Sequence, residues 1–118
     1  MSYRAFLLFF LLLSFSSGLS LDMPEKAARY ETLTGKIQGS VEGALSSQQL
    51  TLYREQTAVP LEGGIQRLGD EVYVWLVSPG TPGTYTFRID ALETRKEGQL
   101  IRESLQHTLK IEDRKSVV

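Results

Sequence analysis

Residue types that carry much of extracellular and metal chemistry are absent or rare in this chain, which has no cysteine, no asparagine and one histidine, His107. Without cysteine there is no disulfide, thiolate metal site, cysteine nucleophile or lipid-bearing cysteine. Without asparagine there is no acceptor for N-glycosylation. One histidine without cysteine also excludes a conventional zinc site, and we expect no cofactor. Cohesion must therefore come from the hydrophobic core alone.

A strong excess of either charge is also lacking. The 118 residues, enough for one domain, include 13 Lys and Arg against 14 Asp and Glu, a net charge of −1. Without Arg4, which lies in a segment that we expect to be removed, the counts are 12 against 14, or −2. This balance attracts neither nucleic acid nor anionic lipid. We expect no nucleic-acid partner.

Residues 1–20 have the order of a secretory signal peptide. Arg4 is followed by an apolar run at residues 6–13 (FLLFFLLL) and by small and polar residues at 14–20 (SFSSGLS). This order predicts a signal-peptide helix and a secreted or cell-surface location. The alternative is an uncleaved anchor, but a membrane span needs about 20 apolar residues, more than this run supplies. Membrane contact is expected only through this segment, if it stays uncleaved.

Two cleavage positions fit the small residues at the end of this segment. Gly18 and Ser20 suit cleavage before Leu21, whereas Ser16 and Gly18 suit cleavage before Leu19. Both remain open on the sequence alone. Residues 21–29 then form a leader segment, in which residues 24–30 (PEKAARY) hint at one helical turn.

From residue 30 onward, short segments of alternating polarity are separated by Gly, Pro, Ser and charged residues, which favours a β-sandwich or barrel. Residues 71–78 (EVYVWLVS) form the strongest strand, and residues 84–90 (TYTFRID) show the cleanest alternation. Residues 57–66 resemble an edge strand and a turn. Three glycines between residues 33 and 43 predict bulges or close strand crossings. The residues predicted to face the core are Leu33, Ile37, Val41, Leu50, Leu52, Val72, Val74, Leu76, Tyr85, Phe87, Ile89, Leu105, Leu109 and Ile111.

Residues 82–89 (PGTYTFRI) resemble the start of strand F in immunoglobulin-like and fibronectin-III-like domains. In that family the tyrosine, here Tyr85, hydrogen-bonds back to the backbone at the corner between strands E and F. The layout of residues 30–112 is similar to such modules in prokaryotic, especially archaeal, exported and cell-surface proteins. The resemblance implies an antiparallel sandwich of about seven strands. The implied strands are B at 33–41, C at 48–54, C′ or D at 58–66, E at 72–76, F from 84 and G at 103–111.

The final residues, 113–118 (DRKSVV), break the strand pattern. This hexapeptide matches an in-frame translation of a common short-read sequencing adapter, so we expect a non-native tail on a truncated reading frame. A polar native tail is the alternative. A reading frame that continues past Glu112 in an independent clone would decide for the first.

Candidate site residues are few. His107 lies on the inward parity of its strand and is expected to be structural, because a general base needs a nucleophile and an orienting carboxylate nearby. Asp70, Glu71, Asp90 and Glu93 lack the spacing of a calcium loop and are expected to be solvated. The candidates for an interaction face are Tyr53, Tyr73 and Trp75, which lie opposite the core residues. The alternative is that these rings pack against residues 21–30 or a following domain.

These observations favour a non-catalytic immunoglobulin-like module at the N-terminus of a secreted or cell-surface protein. Its role would be spacing, adhesion or protein interaction, with a protein or cell-surface partner and neighbouring domains of the same chain. The alternatives are an accessory domain of a truncated secreted hydrolase and a carbohydrate-binding module that uses Trp75 and the tyrosines.

Overall fold

The computed structural model describes residues 18–113, and this part of the chain is all-β apart from one 3₁₀ turn. The predicted signal-peptide helix and the tail after Asp113 lie outside the described residues. Within the described range no helix has the length and apolarity needed to cross a membrane. The strands are β1 (Ser20–Asp22), β2 (Lys26–Ala28), β3 (Thr32–Gln38), β4 (Leu50–Arg54), β5 (Thr57–Val59), β6 (Gly63–Leu68), β7 (Glu71–Val77), β8 (Gly83–Lys96) and β9 (Gln99–Glu112), with the 3₁₀ turn at Ser47–Gln49.

The strands form two sheets, one in the order β1-β3-β7-β6 and the other in the order β2-β9-β8-β4-β5. Neighbouring strands are antiparallel except β2 and β9, which are parallel. This confirms the predicted all-β, two-sheet architecture. The described residues contain nine strands instead of about seven, partly because residues 20–28 supply two short ones.

The core lies between the sheets and follows the predicted alternation. Val74 and Leu76 of β7 and Phe87 and Ile89 of β8 are all fully buried, although β7 and β8 belong to different sheets. Leu105 is partly buried and packs against this core. The other predicted core residues are buried too, and Met23, Ala27 and Leu92 join them.

The chain crosses from one sheet to the other between β7 and β8, and two side chains satisfy the backbone there. The Tyr85 hydroxyl donates to the Thr81 carbonyl at 2.6 Å, and the buried Ser78 hydroxyl donates to the Glu31 carbonyl at 2.9 Å. Buried hydroxyls without partners would destabilise the fold. Tyr85 therefore makes a backbone hydrogen bond of the kind that a tyrosine corner makes.

The hint of a helical turn at residues 24–30 is wrong. Lys26–Ala28 forms β2, which pairs in parallel with β9, and the Lys110 backbone N–H donates to the Glu25 carbonyl at 2.8 Å. Glu, Lys and Ala favour a helix locally, but pairing with a distant strand outweighs that small preference. The leader segment therefore contributes to the sheets.

The hairpin of β8 and β9 extends farther than the alternation predicted. A register shift lies between Ile89 and Leu92, where Ala91 adopts a left-handed φ of 56°. The Gln49 side chain donates to the Asp90 and Ala91 carbonyls at 3.1 and 2.9 Å. This β-bulge changes which parity faces inward, so Leu92 is buried and the strand continues to Lys96.

We expect Tyr85→Phe to lower the free energy of unfolding by about 0.5–1.5 kcal/mol, because it removes the hydrogen bond to Thr81 while the ring stays buried. Urea titration measures the change. Tyr53→Phe, which removes a hydroxyl from a half-exposed ring, serves as the control and should cost less. Equal losses in the two variants would contradict a special role for the Tyr85 hydroxyl.

Candidate functional site

The outer face of the four-stranded sheet carries both candidate aromatic residues of β7. Trp75 and Tyr73 alternate with the buried residues of that strand and therefore point away from the core. Trp75 is 40% exposed, although tryptophan side chains are highly buried on average. We call this surface, formed by Trp75, Tyr73, Lys36, Thr34 and Glu71, the Trp75 face.

The indole of Trp75 lies across a glycine of the neighbouring strand. Gly64 pairs with Trp75, and a Cβ atom on Gly64 would come within 2.7 Å of the indole Nε1. The missing side chain thus gives the ring room to lie over β6. On the other side of Trp75, the pairing partner is the small, exposed Thr34. The ring is therefore bordered by small residues on both sides.

One row across the sheet places a charged network beside this indole. Asp22, Lys36, Tyr73 and Gln66 are successive cross-strand partners. Lys36 Nζ donates to Glu71 Oε1 at 2.8 Å, and the Tyr73 hydroxyl donates to the other oxygen of the same carboxylate. Glu71 therefore holds both the ammonium and the phenol in place.

These contacts move three pKa values. The hydrogen bond from Lys36, and then the one from Tyr73, lowers the pKa of Glu71 below 4.5. The same carboxylate raises the pKa of Lys36 above 10.5 and that of Tyr73 above 10.0. Glu71 is thus ionised, and Lys36 and Tyr73 are protonated, throughout the neutral range. The Trp75 face consequently presents fixed charges and a phenol oxygen beside an exposed aromatic ring.

Tyr53 lies elsewhere. It belongs to β4 in the five-stranded sheet, so it does not form a strip with Tyr73 and Trp75. It borders a shallow, open depression of about 320 Å³ together with Thr86, Arg88 and Gln106. Arg88 is paired there with Asp90, which lowers the pKa of that carboxyl. Sequence alone did not single out Arg88 or Gln106.

His107 is half-buried, and its Nε2 donates to the Pro24 carbonyl at 2.8 Å. This contact fixes the segment that leads into β2. Asp90 and Glu71 are engaged in separate ion pairs, and Glu93 lies near Arg102. Within residues 18–113 no three His, Cys, Asp or Glu side chains converge to hold a metal ion.

The protein-family models contain no match for this chain, and the curated proteins searched contain none either.

The pH dependence of Glu71 tests the charged network. Because its pKa is lowered on folding, the stability that it contributes is present above pH 4.5 and is lost as the pH falls through the lowered value. We expect Lys36→Met to move the NMR titration midpoint of Glu71 upward, toward its ordinary value. Tyr73→Phe should move it upward as well. A midpoint unchanged by both substitutions would contradict the network.

Proposed function

We propose that this chain carries a non-catalytic immunoglobulin-like module of a secreted or cell-surface protein, serving spacing, adhesion or protein interaction. The observation that carries the proposal is the position of the start of β1 and of the end of β9 in the sheets. Ser20 pairs with Gln38, at the end of β3, whereas Glu112 pairs with Ala28, just before β3 begins. Residues 20 and 112 thus lie at opposite ends of the sheets, an arrangement that suits modules joined end to end.

The strand order supports the immunoglobulin-like part of the proposal. Strands β1, β3, β7 and β6 occupy the positions of A, B, E and D, and strands β9, β8 and β4 occupy those of G, F and C. Strand β2 would be the second half of a divided A strand, and β5 would be C′. Tyr85 lies near the start of the strand equivalent to F and bonds to the backbone just before it.

Export is supported by the sequence of residues 1–20, with its single early cation, its apolar run and its small residues. The absence of cysteine is compatible with a sandwich of this size, whose two sheets share one buried cluster of apolar side chains.

We expect the full chain, produced in a host with a secretory pathway, to appear outside the cytoplasm. The double substitution Leu8→Arg and Leu12→Arg should retain it inside, because two charges interrupt the apolar run that the export machinery binds. Immunoblots of fractionated cultures measure the distribution. Leu68→Arg, on an exposed position of β6, is the control and should be exported normally. Retention of the unaltered chain in the cytoplasm would contradict the proposed export.

A carbohydrate-binding module is the second candidate, and the Trp75 face favours it. Sugars stack on exposed aromatic rings while their hydroxyl groups bond to fixed polar side chains. Trp75 supplies such a ring, and Lys36 and Glu71 supply charged groups on the same face. The aromatic rings of this face also suit a protein partner, because Trp and Tyr are enriched in protein interfaces.

A glycan array separates the two candidates. If the face binds sugar, we expect signals that Trp75→Ala abolishes and that Tyr53→Ala, on the other sheet, leaves intact. Leu76→Ala removes a fully buried side chain and should lower the free energy of unfolding by about 2–5 kcal/mol. Trp75→Ala should lower it less, so a folded Trp75→Ala variant can be assayed. Silence of the array across all glycans would reject the carbohydrate candidate.

A further inference from the structure

An acidic side chain faces the peptide bond that precedes β1. The backbone N–H of Leu19 donates to Glu103 Oε2 at 3.3 Å, across 84 residues of sequence. Both carboxylate oxygens lie 3.8 Å from the position that a Cβ atom would occupy on Gly18. Glu103 is half-buried on β9, and Gly18 is exposed. The carboxylate of Glu103 therefore lies beside the junction of Gly18 and Leu19.

The folded structure uses the chain from Leu19 onward. The Leu19 side chain packs against the core cluster. It approaches Gly39 so closely that a Cβ there would lie 2.7 Å from Leu19 Cδ2. Ser20 and Leu21 then pair with Gln38 and Ile37. Leu19 and Ser20 are thus part of the fold.

This distinguishes the two cleavage positions that the small residues allow. Cleavage before Leu21 would remove Leu19 from the core and Ser20 from β1, a strand of three residues. Cleavage before Leu19, after Ser16 and Gly18, retains both. It would also create a positive charge at the nitrogen that already contacts Glu103.

We propose that the chain is processed between Gly18 and Leu19, and that the new α-ammonium of Leu19 binds the carboxylate of Glu103. This inference rests on the proposed export. A signal peptidase would hydrolyse the bond: water adds to the Gly18 carbonyl carbon, the carbon–nitrogen bond breaks, and the released amine is protonated. Gly18 keeps the new carboxylate. The single amide donor becomes an ammonium with three donors and a charge, which strengthens its bond to a carboxylate.

The N-terminus of the exported protein tests the position. We expect the full chain, secreted by a suitable host and examined by intact mass and N-terminal sequencing, to begin at Leu19. An exported product that begins at Leu21, or at any other residue, overturns the processing site and leaves the proposed export intact. Retention of the intact chain overturns both.

A double-mutant cycle tests the ammonium–carboxylate pair. Chains that begin at Leu19 are prepared with a free and with an acetylated α-amine, each with Glu103 and with Glu103→Gln. We expect Glu103→Gln to raise the unfolding equilibrium constant about two- to fivefold in the free-amine form and less in the acetylated form, since acetylation removes the charge and keeps an N–H donor. Equal effects in both forms overturn the pair. Asp70→Asn, in the exposed turn before β7, is the matched control and should act equally in both.

A chain that begins at Leu21 completes the test. We expect its unfolding equilibrium constant to be about tenfold or more above that of the chain that begins at Leu19, because it loses the burial of Leu19 and one pairing position of β1. Equal stability of the two chains would show that the fold does not discriminate between the cleavage positions, and would overturn the structural argument.

Discussion

The two sheets hold together because alternate side chains of β7 and β8 are buried against one shared core. Val74, Leu76, Phe87 and Ile89 are fully buried, and no cysteine is present to link the sheets covalently. Within each sheet, the other strands lie on both sides of β7 or of β8. The side chains on the outer faces of β7 and β8 do not contribute to this core. Charged and aromatic residues can therefore occupy these faces without disrupting it.

Residues 71–78, which are apolar on both faces, were predicted as a strand from their β-branched and aromatic composition. Alternation was sufficient to predict β8, because a strand with one buried face has a period of two that no other regular element imitates. It could not predict β1 or β2. Each spans three residues, too few for a period, and each exists through backbone bonds to strands distant in sequence. The alternation also predicted an end of β8 that is too early. The bulge at Ala91 reverses the parity, so Leu92 continues a strand whose pattern stops at Asp90.

The sequence likewise predicted one part of the candidate site and not the rest. Parity alone placed Tyr73 and Trp75 on one face, since they are two residues apart on one strand. The neighbours that give this face its chemistry come from other strands, and their positions depend on register. Lys36 meets Tyr73, and Gly64 meets Trp75, only because β3 and β6 pair with β7 in one particular alignment. Tyr53 shares the parity of Tyr73 and Trp75 relative to the core residues. Parity alone does not specify which sheet a strand joins, so it could not show that Tyr53 lies on the other sheet.

The leader segment joins the two sheets. β1 and β2 lie in different sheets, and residues 23–25 connect them. Three residues of β2 pair in parallel with β9, which attaches the leader segment to the five-stranded sheet. The hydrogen bond from His107 to Pro24 and the one from Lys110 to Glu25 reinforce the same junction. Contacts with one distant strand, β9, therefore fix a segment whose own sequence has no periodicity.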